Sequence, residues 1–520
     1  MNSSRSGSVL KISILATGCA GIVAEYSLST LATYLIGNAV FQWTLIMSLM
    51  LFAMGVGSRL SKFFKARLIE TFFIVEISLS MLCASSTVLV YSLSLFIPSV
   101  NVLIYGLAIC IGGLIGFEIP LVTRLNESYE ELRHNIASIM EKDYYGALIG
   151  GLFFAFIALP HLGLAYTPII LGAINFLVAG LVLIFFYQRI ERKKLVISMF
   201  VVCFLFLIGI VAIAEPIVRF GEQRQYKDRV IYAEQTAFQK IIMTRWKTFY
   251  WLFINGQTQF SSFDEEKYHE PLVHPALKLT ANRSSILVLG GGDGLAAREI
   301  LKYPDVRSIT LVDLDPKMTN LAQTHPVLLN LNKSSLKDGR VHVINKDAAA
   351  FLRDDSNLYG AIILDLPDPD TVDLTHLYSL GFYREIRRRL IRGGIFVTQA
   401  TSPYFSEKAF LCIKKTLIKA GFSVLPYHNH VPTMGEWGWI IGARSQDQNP
   451  LALKKRALTL QFDDLTLKFL NSGAMMSMVH FGKGSVDEKE ERDIRINTKL
   501  NPELHQYYRE GSWGVVDSPF

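Results

Sequence analysis

Charge is scarce in this 520-residue chain: only 19% of its residues are Asp, Glu, Lys or Arg, against roughly 25% in an average soluble protein. The deficit is local. Positions 1–214 carry 13 basic and 10 acidic residues, whereas 215–520 carry 39 and 35. A uniformly soluble protein is excluded, and the chain reads as two parts. A strong excess of one sign is missing too, because the net charge of +7 is spread over both parts. Neither has the basic density of a nucleic-acid binder, so no nucleic-acid partner is expected. Cysteine is rare. Cys19, Cys83, Cys110, Cys203 and Cys412 show no metal-ligand spacing, and the first four lie in apolar runs where a thiol behaves as a small hydrophobe. Neither a disulfide framework nor a zinc site is expected.

What the first part has instead is apolar length. Runs near 11–36, 40–58, 69–92, 99–122, 144–164, 167–187 and 195–214 each approach the roughly 20 residues that cross a bilayer core as helix. The first is too long for the core of a signal peptide and is followed by more spans, so it is expected to stay in the membrane. Basic residues cluster in alternate loops, at Arg59–Arg67, Arg124–Lys142 and Arg189–Lys194, and at the amino terminus with Arg5 and Lys11. Those four places are expected on the cytoplasmic side. Glu25, Glu76 and Glu118 interrupt apolar runs, where an ionisable group is costly and marks a functional candidate or a residue paired inside the bundle. Gly112, Gly113 and Gly116, and Gly146, Gly150 and Gly151, are read as close helix-packing positions.

From about Tyr226 the pattern changes to β-branched and aromatic stretches with Asn255-Gly256 as a turn. From Ser285 it becomes short apolar strands, 286–289, 309–312, 341–344, 361–364 and 395–398, separated by helical segments, which predicts an open parallel α/β sheet. The first strand runs into Gly290-Gly291-Gly292-Asp293-Gly294 and a helix near Leu295. Glycines there allow close backbone approach at the ligand-binding edge of such a sheet. Asp313 ends the next strand, placed to accept from ribose hydroxyls, and Asp347-Ala348 follows the third, placed beside an adenine edge. The fourth strand ends in Asp365-Leu366-Pro367-Asp368-Pro369-Asp370. Two prolines stop this loop from continuing as strand or helix, and three carboxylates in six residues suit a cationic amine.

These residues carry a family resemblance. The glutamine of AFQKI, the run Tyr268-His269-Glu270, GGGDG, VDLDP, the Asp-Ala pair, DLPDP, LYSLGFYR and GGIFVTQATSP stand in the order and spacing of the polyamine aminopropyltransferases, the spermidine synthase family. The apolar part resembles that family's membrane-embedded branch. The resemblance implies a multi-pass α-helical membrane domain (1–215), a β-rich subdomain (216–284), a Rossmann-like, methyltransferase-type α/β domain (285–445) and a C-terminal extension (446–520). It implies transfer of an aminopropyl group from decarboxylated S-adenosylmethionine, a co-substrate, to putrescine, giving spermidine and methylthioadenosine, with no metal or other cofactor. In it Gln239, Gly290, Gly292, Asp313, Asp347 and Ala348 would hold the adenosyl donor, Tyr268, His269, Asp293 and Asp368 the amine, and Asp365 would accept the proton. It further implies a homodimer or homotetramer in the lipid bilayer of the cell membrane.

The chain departs from the soluble pattern at Val431–Trp437, where soluble relatives offer a tyrosine to the amine pocket; Glu436 is the available substitute acceptor. Two other readings use the same residues. One is a polyamine transporter or sensor whose α/β domain binds without turnover, with Glu25, Glu76 and Glu118 along a path; the other is methyl transfer. The tail's aromatics and Met475, Met476 and Met478 read as packing residues. Seven crossings would put the carboxy-terminal part outside, against a cytosolic donor, so the face of the catalytic domain stays open.

Overall fold

The computed structural model describes residues 3–37, 39–93, 99–127, 129–483, 485–486 and 493–513. Most of the charged run 487–493 therefore lies outside the described residues. The chain forms two compact units, Met1–Arg229 and Val230–Phe520. Among the described residues the first holds seven α-helices: α1 (Ser3–Ile36), α2 (Ala39–Ser61), α3 (Leu68–Leu93), α4 (Val100–Asn126), α5 (Leu132–Phe153), α6 (Gly163–Phe186) and α7 (Lys193–Gln225). A wider, π-helical stretch, Phe154–Leu162, joins α5 to α6. Six helical runs are long and apolar enough to cross a membrane, and the fifth, Leu132–Arg189, is 58 residues long. A straight helix of that length would reach about 87 Å, far beyond one bilayer. It turns back at Gly163, whose φ of 62° and ψ of −169° few residues besides glycine adopt. Phe52, Phe156 and Ile184 are each at least 70% exposed, as outward faces in lipid would be.

Glycines set how near the helices come. A β-carbon on Gly57 would lie 2.0 Å from the carbonyl oxygen of Gly113, and one on Gly116 would lie 2.1 Å from that of Met54, so α2 and α4 touch backbone to backbone. Gly146 and Gly150 do the same for α5 against Leu15 and Cys19 of α1. Gly113 itself faces open space; its carbonyl, not its missing side chain, makes the contact. All five cysteines are free thiols.

The basic ends gather on one face of this unit. Lys11 pairs with Glu130 at 2.8 Å, Arg124 donates to the carbonyls of Ser61 and Phe64, and Arg67 pairs with Glu191 at 2.6 Å. Glu70 accepts the backbone N–H groups of Glu191 and Arg192. At the other end, Tyr166 at the start of α6 donates to Glu215 of α7 at 2.8 Å, and Gly221 of α7 abuts Tyr91 near the end of α3. The chain thus leaves the helical unit opposite its basic face. Glu25, Glu76 and Glu118 all point inward, at 8%, 0% and 3% exposure. Neither oxygen of Glu76 nor Oε1 of Glu118 has a hydrogen-bond partner among the described residues.

The second unit begins with a four-stranded sheet, β1 (Arg229–Gln235), β2 (Lys240–Trp246), β3 (Phe249–Ile254) and β4 (Gln257–Ser261), in sequential order. Asn255 and Gly256 both have positive φ, 50° and 83°, and Ile254 pairs with Gln257, which makes a two-residue turn matched to the strands' twist. Within 216–284 the strands occupy only 229–261, since α7 runs to Gln225 and α8 covers Glu266–Leu279.

The main sheet has β5 (Ser285–Gly290), β6 (Ser308–Asp313), β7 (Val341–Asn345), β8 (Tyr359–Asp365), β9 (Leu390–Gln399), β10 (Phe422–Val431) and β11 (Gly435–Arg444) in the order β10-β11-β9-β8-β5-β6-β7. Strands β5 to β9 are parallel and β11 is antiparallel to β9. Residues Ile286 to Leu289 have no exposed surface, as expected of a strand covered on both faces. β6 and β8 flank β5, so the chain leaves it in opposite directions on the two sides, opening a crevice at the strands' carboxyl ends. Gly290 lies opposite Asp365 there.

Two glycines three residues apart in α4 give a matched test of the helix seam. Gly116→Ala is expected to lower the thermal midpoint of the detergent-solubilised protein by more than about 4 °C, a cost of roughly 1–3 kcal/mol for overpacking. Gly113→Ala, with nothing within reach, is expected to leave it unchanged or raise it slightly; equal effects would show that the seam does not depend on backbone contact.

Candidate active site

Glycine in the first strand-to-helix turn is needed because neighbouring strand ends crowd it. Gly290 and Gly291 have φ of 81° and 67°, and a β-carbon on Gly290 would fall 2.0 Å from the carbonyl oxygen of Asp365. That carbonyl accepts the Gly291 N–H at 3.1 Å. Gly292 donates to Asp313 Oδ2 at 3.0 Å, and Asp315 N–H donates to Oδ1 at 2.9 Å. Burial raises Asp313 to about 6 against those two bonds. Each carboxylate oxygen keeps a lone pair for another donor. Asp347 caps the helix Ala348–Asp354, accepting from Ala350 N–H at 2.7 Å, and its Oδ2 lies 3.7 Å from His376. The turn with Gln239 is tied down through Thr236, which accepts the Gln239 N–H and donates to Asp315 at 2.8 Å.

Around Asp365 the α8 residues converge. The Tyr268 hydroxyl donates to Asp365 Oδ1 at 2.9 Å, and His269 Nε2 lies 4.0 Å from Oδ2. One ligating atom each of His269, Asp293 and Asp365 lies within 4.8 Å of the others. Behind His269 stands Glu265, 3.1 Å from Nδ1, itself gripped by both terminal nitrogens of Arg298 at 2.8 Å. Burial by itself would lower the His269 pKa, but the hydrogen bond and charge of Glu265, then Asp293 and Asp365, raise it to about 9. His269 is a cation at neutral pH. The cluster alternates acid and base, with Asp293 and Asp365 on one side of His269 and Glu265 behind it. Burial lifts Asp293 to about 6 against the His269 charge, and it raises Asp365 while His269 and Tyr268 hold it back.

The loop after β8 carries the third carboxylate inward. Asp368 accepts from Gln399 Nε2 at 3.1 Å on Oδ1 and from the Tyr508 hydroxyl at 3.0 Å on Oδ2. Burial still pushes it up to about 7, against those two donors. Gln399 also donates to Leu366 O, and Tyr378 donates to Pro367 O at 2.8 Å, so the loop backbone is fixed. Asp370 is raised to about 6 by burial.

A family model described as the Spermine/spermidine synthase domain matches residues 265–455. A polyamine aminopropyltransferase 2 of Aquifex aeolicus is 39% identical over 507 residues, covering 96% of this chain and 98% of that protein. Polyamine aminopropyltransferases of Leptospira interrogans and Streptomyces coelicolor are 37% and 35% identical, each over 94% or more of both chains. The chain belongs to the polyamine aminopropyltransferase family.

Relatives that match across both units, apolar part included, make it an enzyme, and the non-catalytic transporter or sensor reading of the α/β unit falls. The aminopropyltransferase fold brings Gly290, Gly292, Asp293, Asp313, Asp365, Asp368, Tyr268 and His269 to one crevice. Asp347 is a helix cap, with Ala348 buried just behind it. Glu436 is hydrogen-bonded by His428 and lies 3.7 Å from His430. The tail is not packing alone, because Tyr508 reaches Asp368. Sequence reasoning also missed Glu265, Arg298, Gln399 and Tyr378. For Glu265 a signal was present, four residues before His269 in a helical segment, where i and i+4 side chains meet.

Replacing Glu265 by Gln should drop the His269 pKa from about 9 toward or below its ordinary value of about 6.5, as followed by ring-proton NMR. A histidine whose folded pKa is raised adds stability that is full below about pH 6.5 and is lost as pH climbs through 9. The gap in thermal midpoint between wild type and Glu265→Gln should therefore be widest near pH 6 and narrow toward pH 9 to 10. A gap independent of pH would mean that Glu265 acts only through Arg298.

Proposed function

We propose that the enzyme transfers the 3-aminopropyl group of decarboxylated S-adenosylmethionine to putrescine, giving spermidine and methylthioadenosine, with Asp365 as the proton acceptor. The observation that carries this reading is the convergence of four carboxylates, Asp293, Asp313, Asp365 and Asp368, on one crevice at the ends of β5, β6 and β8. Asp313 and the Asp347-Ala348 pair sit where a nucleoside's ribose and base would lie, with Gln239 and the glycines Gly290 and Gly292 around the donor. Tyr268, His269, Asp293 and Asp368 line the side toward the amine.

A primary amine has a pKa near 10 and arrives mostly protonated. Displacement needs its lone pair, so a carboxylate must take or relay the proton. Asp365 is suited to that: Tyr268 donates to Oδ1, while Oδ2 faces the crevice shared with His269 and Asp293. The amine nitrogen then bonds to the propyl carbon, the carbon–sulfur bond breaks, and its electron pair stays on sulfur as a neutral thioether. The ammonium's proton leaves before attack, relayed by Asp365, and the new secondary ammonium forms with its two protons beside the ionised carboxylate. The sulfonium is already an activated leaving group, so the protein's task is alignment and proton removal. Methyl transfer would share the nucleoside site but leaves three amine-facing carboxylates without a role.

The helical unit supports a cell-membrane, multi-pass protein with seven crossings. With its basic face in the cytoplasm, the junction at residue 226 would emerge on the other side, so the donor would have to be met there.

Purified protein should release methylthioadenosine only when given both decarboxylated S-adenosylmethionine and an amine. Asp365→Asn should cut kcat by about 10²- to 10⁴-fold, the range for losing a general base; unchanged turnover would remove Asp365 from the mechanism. For sidedness, alkaline phosphatase fused after residue 225 should be active and a green fluorescent fusion dark. The opposite pattern would place the junction in the cytoplasm.

A further inference from the structure

Asp368 is held from outside the α/β domain. Its Oδ2 accepts the hydroxyl of Tyr508, at 3.0 Å, from the helix Glu503–Arg509 in the C-terminal extension. Tyr508 is only 7% exposed and is fixed from several sides. The Trp513 ring lies 4.9 Å from its own, and the Trp513 indole N–H donates to the Tyr508 carbonyl at 3.0 Å. Ser512 N–H donates to Phe405 O at 2.7 Å, and Gly511 beside it has no room for a side chain, since a β-carbon would lie 2.7 Å from that same oxygen. The one tyrosine of the hairpin β10–β11, Tyr427, points elsewhere and donates to Pro271 O at 2.8 Å, while Glu436 is hydrogen-bonded by His428.

We propose that Tyr508 binds the distal ammonium of the acceptor amine together with Asp368, and so sets the amine length the enzyme accepts. The proposal rests on the aminopropyl-transfer reading above. A tyrosine that gives its proton to a carboxylate turns its oxygen lone pairs outward. Tyr508 and Asp368 then present two adjacent acceptors to the three N–H donors of an ammonium. Asp365 binds the attacking end, so the separation between the Asp365 and the Tyr508–Asp368 ends acts as a ruler for the chain between. A tyrosine does this without adding another negative charge to a crevice that already holds four carboxylates, where an extra acid would protonate rather than bind. The extension thereby completes the acceptor pocket, supplying a tyrosine hydroxyl where residues 431–437 have no tyrosine.

The test uses the full-length protein in nanodiscs, with decarboxylated S-adenosylmethionine and a series of 1,3-diaminopropane, putrescine and cadaverine. Tyr508→Phe keeps the ring and removes one hydrogen-bonding group to a charge, so KM for putrescine should rise about tenfold. Its kcat should stay within about threefold and KM for the adenosyl donor should not move, because the reacting atoms are untouched. Tyr508→Ala should raise the kcat/KM ratio of cadaverine to putrescine at least about fivefold by lengthening the pocket. A putrescine KM within twofold of wild type in Tyr508→Phe overturns the proposal. So does a parallel rise in both KM values with a lower thermal midpoint, which marks a packing residue. If wild type turns over no diamine, the reading of the reaction fails and this proposal with it; an active wild type with an unmoved putrescine KM sinks Tyr508 alone.

Discussion

The contact between Gly290 and the backbone of Asp365 governs the chemistry of the whole crevice. Strands β5 and β8 end together with no side chain between them, which brings Asp365 and Asp293 toward each other and Asp313 close behind. Four carboxylates are then partly withdrawn from water in one place, and bare charges of like sign cannot share such a site. The protein compensates three ways. Backbone N–H groups satisfy Asp313, neutral donors satisfy Asp368, and a true cation, His269, stands against Asp365 and Asp293. That cation is itself maintained from behind by Glu265 and Arg298, so a side chain two residues removed from any substrate decides the charge at the centre. What compensation remains undone, substrates that are both cationic can supply. The raised Asp293 and Asp368 are therefore groups held in readiness for ligand charge, and their cost to the unliganded fold is the usual trade between stability and function.

The helices of the first unit are long and apolar enough to cross a membrane, a solvent that offers no hydrophobic gain for helix association. There α2 and α4, and α1 and α5, approach until glycine lets backbone meet backbone and dispersion contacts accumulate. The unit's ionisable residues turn inward, as intramembrane acids do. Glu76 differs from the acids of the crevice in having no hydrogen-bond donor to either oxygen among the described residues.

Much of this was legible in the sequence because it depends on local pattern. Five parallel strands appear where short apolar runs alternate with helical segments, and Asn255-Gly256 makes the turn its dipeptide predicts. The glycine run and the aspartates at strand ends are local as well, since a strand's end fixes where its next residue points. The illegible parts are long-range. β10 contains Pro426 and a polar His428–His430 stretch, so no clean alternation marks it, and only its pairing with β11 makes it a strand. Glu265 could be placed beside His269 by helical spacing, yet Arg298, which holds it, lies 33 residues on. Tyr508 sits 140 residues from Asp368 in a stretch of ordinary composition, and no spacing rule connects them. Asp347 shows the converse: its place after β7 is legible, yet one of its oxygens caps the helix that follows by accepting from Ala350 N–H, a use that the strand-end pattern does not reveal.

The arrangement also explains how such a site can accelerate displacement rather than merely bind both substrates. Equal binding of ground and transition states contributes nothing to kcat. In the proposed reaction positive charge leaves sulfur as the carbon–sulfur bond breaks and appears on the attacking nitrogen as the new bond forms. Asp365 lies on the amine side of the crevice, with Tyr268 fixing one oxygen, so its attraction for that nitrogen grows along the reaction coordinate. Asp313 on the donor side has both oxygens engaged by backbone N–H groups and sees a neutral nucleoside before and after. Charge moves toward the acid that can still take a proton and away from the one whose partners are already set, so the preorganised field favours the transition state over the bound substrates.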